Sequence, residues 1–392
     1  MRSQYKVLAG AAVTALAMAA PAHAQLSVEA GDWTLSFDGN VNTFYTVTDC
    51  RDDNDVAGGL ACTEGGSEST SDRHNIRTGL LPSKLGFSAE TRQAGYDIQA
   101  YVSYWPGVNA SDIGGRSTAL GNNTVNFRQV FLTFGNETMG TVKLGRDLGI
   151  FGSDAILNDM TIMGVGSISD ATINGGNTSL GRIGTGYIYA DWKAQVSYAT
   201  PDFNGFQVTA GLTEPFDPMT LDGVGGVGTG SEVGDNKFDR PAMELKATYD
   251  FAQQGIDGRV WVGGIRQEVN REGERDYTAQ AFEIGARAAF GPVEGVAYYY
   301  NGKGIGTTVQ LADGYSAAND SRRDSDGFYV QGMYTLPGVG TKLGVSYGES
   351  NLDDESGDPG TLVAEATFTE AENHDGDKNK ERNYALGAIL FF

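Results

Sequence analysis

Residues 243–251 read Met-Glu-Leu-Lys-Ala-Thr-Tyr-Asp-Phe, and apolar and polar side chains alternate along the whole stretch. A period of two is typical of a β-strand with one apolar and one polar face. Helical periodicity is almost absent after residue 25, so the sequence predicts an all-β fold. The same alternation returns between turn residues in four further stretches: 33–45, 96–104, 282–290 and 343–347.

Composition narrows the class of protein. The chain has 392 residues, and its 40 % hydrophobic content is too high for a disordered chain. No run of 18 apolar residues occurs, which excludes a helical membrane protein. The formal net charge of −22 argues against a nucleic-acid-binding protein, which needs a basic surface. The length would suit two or three domains, but large barrels are single domains.

The first residues have the features of an export signal. Arg2 and Lys6 precede an apolar stretch at 7–20, and Ala22-His23-Ala24 fits a small-x-small cleavage site. We therefore predict a signal peptide over residues 1–24, with a signal anchor as the alternative. Residues 25–392 would then form one exported domain.

Export also bears on the two cysteines. Cys50 and Cys62 lie in one acidic, Gly-rich stretch, and an oxidising compartment would let them form a disulfide. A metal site or a reactive thiol is the alternative, but no His or third Cys stands close by in sequence. Acidic runs such as 52–55 and 353–355 are expected to be solvated loop residues, and divalent ions could bridge them to lipopolysaccharide phosphates.

The connections between the predicted strands alternate in length. Short turns lie near 92–95, 136–140, 201–205, 253–258, 291–293 and 337–340. Long acidic loops lie near 49–74, 106–123, 147–186, 213–239, 268–277, 302–325 and 350–380. Short turns on one rim and long loops on the other are typical of an outer-membrane β-barrel.

A soluble β-sandwich is the alternative, and two features weigh against it. Aromatic side chains near strand ends are expected to border the apolar faces, as at Tyr298, Tyr300, Phe328 and Tyr334. Charges of both signs occupy the middle of the polar faces, which suits a water-filled interior. A bilayer accepts a sheet only when it closes, because an open edge leaves backbone groups unpaired in hydrocarbon. The sequence therefore predicts a closed antiparallel transmembrane β-barrel.

The number of strands is less sharply defined. Fourteen strands are clear in the pattern, and residues 362–368 look like another. An odd number would place the two termini on opposite rims, which bacterial single-chain barrels avoid. We predict about 16 strands, with 14 as the alternative. The last alternating strand ends the chain at Phe392, an aromatic residue.

Seven short motifs follow one another along the chain. They are Lys84-Leu85-Gly86-Phe87, Arg128 before Val130-Phe131, Gly145-Arg146, Asp154-Ala155-Ile156, Asp159-Met160, Gly181-Arg182-Ile183-Gly184 and the turn at 198–206. In this order they resemble the motifs of Gram-negative general diffusion porins over nearly all of residues 33–392. The aromatic carboxyl terminus is similar to the signal that the outer-membrane barrel assembly machinery reads.

The resemblance implies a fold and a site. Porins of this family are trimers of 16-stranded barrels whose third long loop folds inward and narrows the pore. It implies a constriction segment on that loop that contains Asp154 and Asp159, with Asp159 the acid expected to face a ladder of basic residues on the wall: Lys84, Arg128 and Arg182. Arg146 is similar to a further basic residue near the pore. Alternation independently points Lys84 inward, opposite Leu85 and Phe87. For Arg128 alternation is ambiguous, because Val130 and Leu132 share its parity.

The predicted function is passive diffusion of small hydrophilic solutes and ions across the outer membrane of a Gram-negative bacterium. We expect a homotrimer in contact with outer-membrane lipid and lipopolysaccharide, no cofactor and no enzymatic activity. A substrate-selective porin is the closest alternative. An outer-membrane barrel enzyme of the phospholipase or protease type, or an adhesin or receptor, would be a different class. No catalytic motif surrounds His74 or His374. The sequence leaves open which solutes pass and whether cations or anions are preferred.

Overall fold

The structure of the chain is a computed structural model. It describes residues 26–48, 73–108, 125–166, 178–216, 218, 239–270, 275–316, 320–338, 340–353 and the backbone of 380–391. The predicted signal peptide, both cysteines and the predicted strand at 362–368 lie outside these residues.

The described residues form an all-β structure with one short helix, α1 (Ser153–Leu157). The first ten strands are β1 (Leu26–Ala30), β2 (Trp33–Asn40), β3 (Phe44–Thr48), β4 (Arg73–Arg77), β5 (Lys84–Gln93), β6 (Tyr96–Pro106), β7 (Val125–Asn136), β8 (Gly140–Leu148), β9 (Trp192–Ala199) and β10 (Phe206–Thr213). The others are β11 (Ala242–Gln253), β12 (Ile256–Val269), β13 (Tyr277–Phe290), β14 (Val293–Lys303), β15 (Tyr315–Ser316), β16 (Ser321–Arg322), β17 (Asp324–Thr335), β18 (Lys342–Asp353) and β19 (Lys380–Phe391). No helix among the described residues is long and apolar enough to span a membrane.

Fifteen strands form a single antiparallel sheet in which the strands follow chain order, apart from two hairpins that lie outside it. The order is β1-β2-β5-β6-β7-β8-β9-β10-β11-β12-β13-β14-β17-β18-β19, and β3-β4 and β15-β16 are separate hairpins. Pairing is long and regular, as between β12 and β13 from Ile256↔Phe290 to Val269↔Tyr277. The predicted all-β, antiparallel fold is confirmed. In the described part of the chain β1 pairs only with β2 and β19 only with β18.

The two faces of the sheet differ as alternation predicted. One face, here called the apolar face, exposes large side chains such as Leu245, Val262 and Ile284. The opposite face, the polar face, carries Lys246, Glu283 and their neighbours on the same strands. An apolar face exposed over so many strands needs an apolar surrounding.

Two tyrosines lie on the face opposite to the expected one. Tyr298 and Tyr300 are buried on the polar face, and the prediction that they border the apolar face was wrong. Three tyrosines follow one another, so a period of two sends Tyr299 to the apolar face and its two neighbours to the other. Phe328 pairs with Tyr299 on the apolar face, as expected.

The hydrophobic core of the molecule lies on the polar face of the sheet. The connection between β8 and β9, residues 149–191, is here called the third loop, and it contains α1. Its Phe151, Ile156 and Tyr187 share one buried cluster with Trp261 and Tyr298 of the sheet. The third loop is therefore folded against the polar face.

Candidate functional site

The third loop is fixed to the sheet by two carboxylates. The backbone N–H groups of Ile150 and Phe151 donate to Glu244 Oε2 at 2.7 and 2.8 Å. The N–H of Gly152 donates to Glu283 Oε1 at 3.0 Å. Gly152 has a φ of 78°, a left-handed conformation that suits glycine and turns the chain into α1. Three consecutive amides thus lie against acids of β11 and β13.

Glu244 also belongs to a buried ion pair. Its Oε1 is 2.5 Å from Lys193 Nζ on β9 and accepts a hydrogen bond from Thr213 Oγ1 at 2.8 Å. A buried ion pair stabilises only when additional hydrogen bonds offset the loss of hydration. The two backbone amides of the third loop provide such bonds, so the loop and the ion pair stabilise each other.

Asp154 in α1 faces two basic side chains of the sheet. Its Oδ2 lies 2.5 Å from Lys246 Nζ on β11, and its Oδ1 lies 3.1 Å from Arg259 Nη1 on β12. Burial by itself would raise the pKa of Asp154, but the charges of Lys246 and Arg259 outweigh it and lower that pKa below its usual range. Asp154 is therefore ionised, and its side chain is only 2 % exposed.

The charges continue along the polar face beyond Asp154. Arg259 Nε is 2.6 Å from Asp250 Oδ1, and the Arg259 side chain is 31 % exposed to solvent. Arg287 on β13 lies opposite Arg259 in the register and pairs with Asp257 and Glu294 at 3.3 and 2.5 Å. We call Lys246, Arg259 and Arg287 the basic row. It presents three cations on three adjacent strands, each with an acidic partner.

Asp159 and Arg182 form a contact inside the third loop. Asp159 accepts hydrogen bonds from Thr161 Oγ1 at 2.7 Å, from Tyr187 Oη at 2.9 Å and from the Arg182 N–H at 3.2 Å. The Arg182 guanidinium donates to the Thr185 carbonyl and lies 5.7 Å from the Tyr329 ring centroid. Burial lowers the pKa of Arg182, although the charge of Asp159 acts against that. Both side chains are at most 2 % exposed, so they shape the loop rather than face open space.

Lys84 and Arg128 lie on the polar face of a different part of the sheet. Lys84 Nζ is 2.7 Å from Asp38 Oδ1 and 5.6 Å from the Trp105 ring centroid, and Arg128 lies 5.2 Å from the same ring. The register moves from Ser103↔Gln129 to Trp105↔Asn126, so β7 carries one additional residue opposite Tyr104. This β-bulge reverses the alternation at Arg128 and turns it to the polar face.

Arg146 does not join the other predicted residues. It pairs in register with Val130 and Ala194, and Val130 and Leu144 on its face are exposed apolar residues. Its side chain is half exposed, and its acidic neighbour is Glu214 at 3.6 Å. Arg146 is thus placed on the apolar face of β8, away from the face that carries Asp154.

In the structure, the predicted acid Asp154 contacts basic side chains that were not predicted from the sequence. Lys246 and Arg259 are the partners of Asp154, in place of the predicted ladder residues. A signal for Lys246 existed, because it lies on the polar face of the most regular strand, 243–251. Among the described residues no group of His, Cys, Asp and Glu is arranged to hold a metal ion.

A family model and several solved structures match the chain. A family model described as "Gram-negative porin" matches residues 10–388. No curated protein matches the chain in sequence. Among solved structures, the outer membrane channel DcaP of Acinetobacter baumannii is similar at a TM-score of 0.57 and 17 % identity, over 83 % of this chain and 81 % of that one.

Two further solved structures are similar in fold. OmpF of Salmonella typhi, in complex with daunomycin, has a TM-score of 0.52 and 13 % identity, over 86 % of this chain and 84 % of that one. The anion-selective porin from Comamonas acidovorans has a TM-score of 0.50 and 15 % identity, over 82 % and 83 %. At these identities the likeness concerns the fold alone.

Proposed function

The chain belongs to the Gram-negative porin family, and we propose that it forms a water-filled channel for passive diffusion of small hydrophilic solutes and ions across the outer membrane. The observation that carries the proposal is the position of Asp154. The third loop holds this acid against Lys246 and Arg259 on the polar face, while the apolar face of the same strands is exposed. Such a sheet suits lipid on one side and water on the other.

We propose that the sheet closes by pairing β19 with β2, where β19 would take the edge that β1 occupies at residues 33–37. These strands are antiparallel to each other, because strand direction alternates along the sheet from one to the other. β18 pairs with β19 over twelve residue pairs, which leaves no room for a strand between them. This supports 14 barrel strands, the alternative to the predicted 16, with β1 displaced from the edge of β2 on closure.

Charged groups beside a narrow passage explain how a channel can favour polar solutes. Asp154 is in direct contact with Lys246 and Arg259, so the passage would run beside this cluster. There the partly exposed Arg259 would orient water and polar solutes, and an apolar solute would have to displace the oriented water. At physiological ionic strength the field of these charges is screened over about 8 Å, so it acts only near the constriction. Size exclusion by the third loop and this field would together select solutes, without a cofactor or an enzymatic step.

The decisive experiment is single-channel recording of the purified chain in planar bilayers. Ohmic steps that scale with salt concentration are expected for a diffusion channel. Steps in groups of three would support the proposed homotrimer. Flux that saturates and is blocked by one solute would favour a substrate-selective porin, and a barrel that does not conduct would contradict the proposal.

Placement in the outer membrane after removal of residues 1–24, and contact with lipopolysaccharide, are part of the same proposal. The family and the exposed apolar face support the membrane placement. Membrane fractionation with amino-terminal sequencing of the mature protein tests it, with Gln25 as the expected first residue. Reduced and non-reduced peptide mapping would decide whether Cys50 and Cys62 are paired.

A further inference from the structure

The connection that follows β14 is buried rather than solvated. The sequence predicts a long acidic loop near 302–325, but residues 304–316 lie mostly out of contact with solvent. Ile305 and Leu311 are each 1 % exposed and belong to the same core cluster as Tyr187 and Ile188 of the third loop. We call residues 304–316 the second inward loop, since the third loop is the first.

The backbones of the two loops are hydrogen-bonded to each other. The N–H of Tyr189 donates to the Thr308 carbonyl at 2.8 Å, and Tyr189 forms a parallel β-bridge with Val309. Gly184 allows the close approach, because a Cβ at that position would lie 2.5 Å from Thr308 Oγ1. The contact is therefore a defined pairing and not a loose packing of apolar side chains.

One side chain of the second inward loop reaches the site at which the third loop is fixed. Gln310 Oε1 accepts a hydrogen bond from Lys193 Nζ at 2.6 Å, and its Nε2 donates to the Tyr189 carbonyl at 3.3 Å. Lys193 in turn is paired with Glu244, which holds the amides of residues 150 and 151. Gln310 is 1 % exposed, so each of its polar atoms depends on these partners.

We infer that the second inward loop sets the position of the third loop, and that Gln310 is the positioning residue between them. An amide suits this place because it accepts from a cation and donates to a carbonyl at the same time. The inference rests on the proposed channel function, and it makes residues 304–316 a second determinant of pore size. Conductance and solute exclusion would depend on Gln310 although it lies on a different connection from Asp154.

The first test compares Gln310→Leu with the wild-type chain. Leucine keeps most of the volume but removes both hydrogen bonds, so the third loop should lose its fixed position. We expect altered single-channel conductance, more frequent closing steps and passage of larger neutral sugars. Gln280→Leu is the matched control, because Gln280 is exposed on the apolar face of β13 and should leave all three unchanged. A Gln310→Leu barrel that folds, as judged by heat-modifiable migration, and keeps wild-type conductance and exclusion would overturn the inference.

A second test does not depend on conductance. In a Cys50→Ser/Cys62→Ser background, Tyr189→Cys and Val309→Cys should form a disulfide in high yield, because the two residues form a β-bridge. Adding this disulfide to Gln310→Leu should restore the wild-type behaviour. Failure of the cysteines to crosslink in the folded protein would contradict the loop pairing. If the double-cysteine variant crosslinks but neither it nor the wild-type protein conducts, the loop pairing stands and the channel function is refuted.

Discussion

Asp154 is the residue on which ion selection should depend. Its carboxylate is shared between Lys246 and Arg259, and neutralising it would leave both cations without this negative charge. We expect Asp154→Asn to shift selectivity toward anions, since it removes one negative charge beside two positive ones. The measurement is the reversal potential in a salt gradient across a planar bilayer.

Asp159→Asn is the matched control for that substitution. Asp159 is as buried as Asp154, but it is bonded to Thr161, Tyr187 and the Arg182 backbone inside the third loop, whereas Asp154 is bonded to cations of the sheet. We expect Asp159→Asn to lower the melting temperature of the barrel and to leave selectivity nearly unchanged. Equal shifts of the reversal potential in both variants would contradict the conclusion that only Asp154 acts on the cations of the sheet.

The effect of Asp154 should persist far into the acid range. Lys246 and Arg259 lower the pKa of Asp154 despite its burial, so its charge and its ion pairs are fully present above the pKa of the unfolded chain, about 4. They are lost only as the pH falls further, through the lowered pKa of the folded state. The difference in reversal potential between wild type and Asp154→Asn should therefore stay constant from pH 8 to about pH 4. A difference that vanishes near neutral pH would contradict the ion pairs.

At the scale of elements, the third loop packs closely on β18 because a glycine is present there. A Cβ on Gly348 would lie 2.4 Å from Arg182 Nη1 and 2.5 Å from the Thr185 carbonyl. Gly348→Ala should push the loop away and destabilise the barrel by about 1–3 kcal/mol, as overpacking does in cores. Thermal unfolding in detergent measures this. Gly332→Ala on the neighbouring strand β17 is the control and should be neutral, because a Cβ there has open space around it.

The pair of Lys193 and Glu244 joins three elements, namely β9, β11 and the third loop. Lys193→Met would leave the Glu244 carboxylate buried without its cation, a change that typically costs about 3–5 kcal/mol. Glu244→Gln should also destabilise, and the double variant should cost less than the two single variants added together. Denaturant unfolding of the four proteins gives this coupling energy. If the two effects are additive, Lys193 and Glu244 do not stabilise each other.

The strands could be predicted from sequence, because alternation reports directly which face of a strand is apolar. It placed the side chains of 243–251 and 282–290 correctly. It could not place Arg128, because a bulge adds one residue opposite Tyr104 and reverses the pattern. It also placed Tyr298 on the wrong face, since three tyrosines in succession have no contrast along the strand.

Only one side of the candidate site, the acid on the third loop, could be predicted from the sequence. Asp154 was selected because its motif on the third loop resembles a family motif. Its partners Lys246 and Arg259 lie 92 and 105 residues away, and which wall strands α1 contacts depends on how the whole loop folds. The same reason hid Gln310, whose loop has no pattern that distinguishes a buried connection from a solvated one.

For the whole molecule, the central question is closure of the sheet. We expect deletion of residues 380–392 to abolish both conductance and heat-modifiable migration. The deletion would leave the edge of β18 unpaired over twelve residue pairs, and each unpaired backbone group in hydrocarbon costs several kcal/mol.

Phe392→Ala is the control, because it keeps the β18–β19 ladder. It should refold into a conducting barrel in detergent, while its assembly in cells slows if the terminal aromatic residue is read by the assembly machinery. A truncated chain that still conducts would show that β19 is not needed to close the barrel.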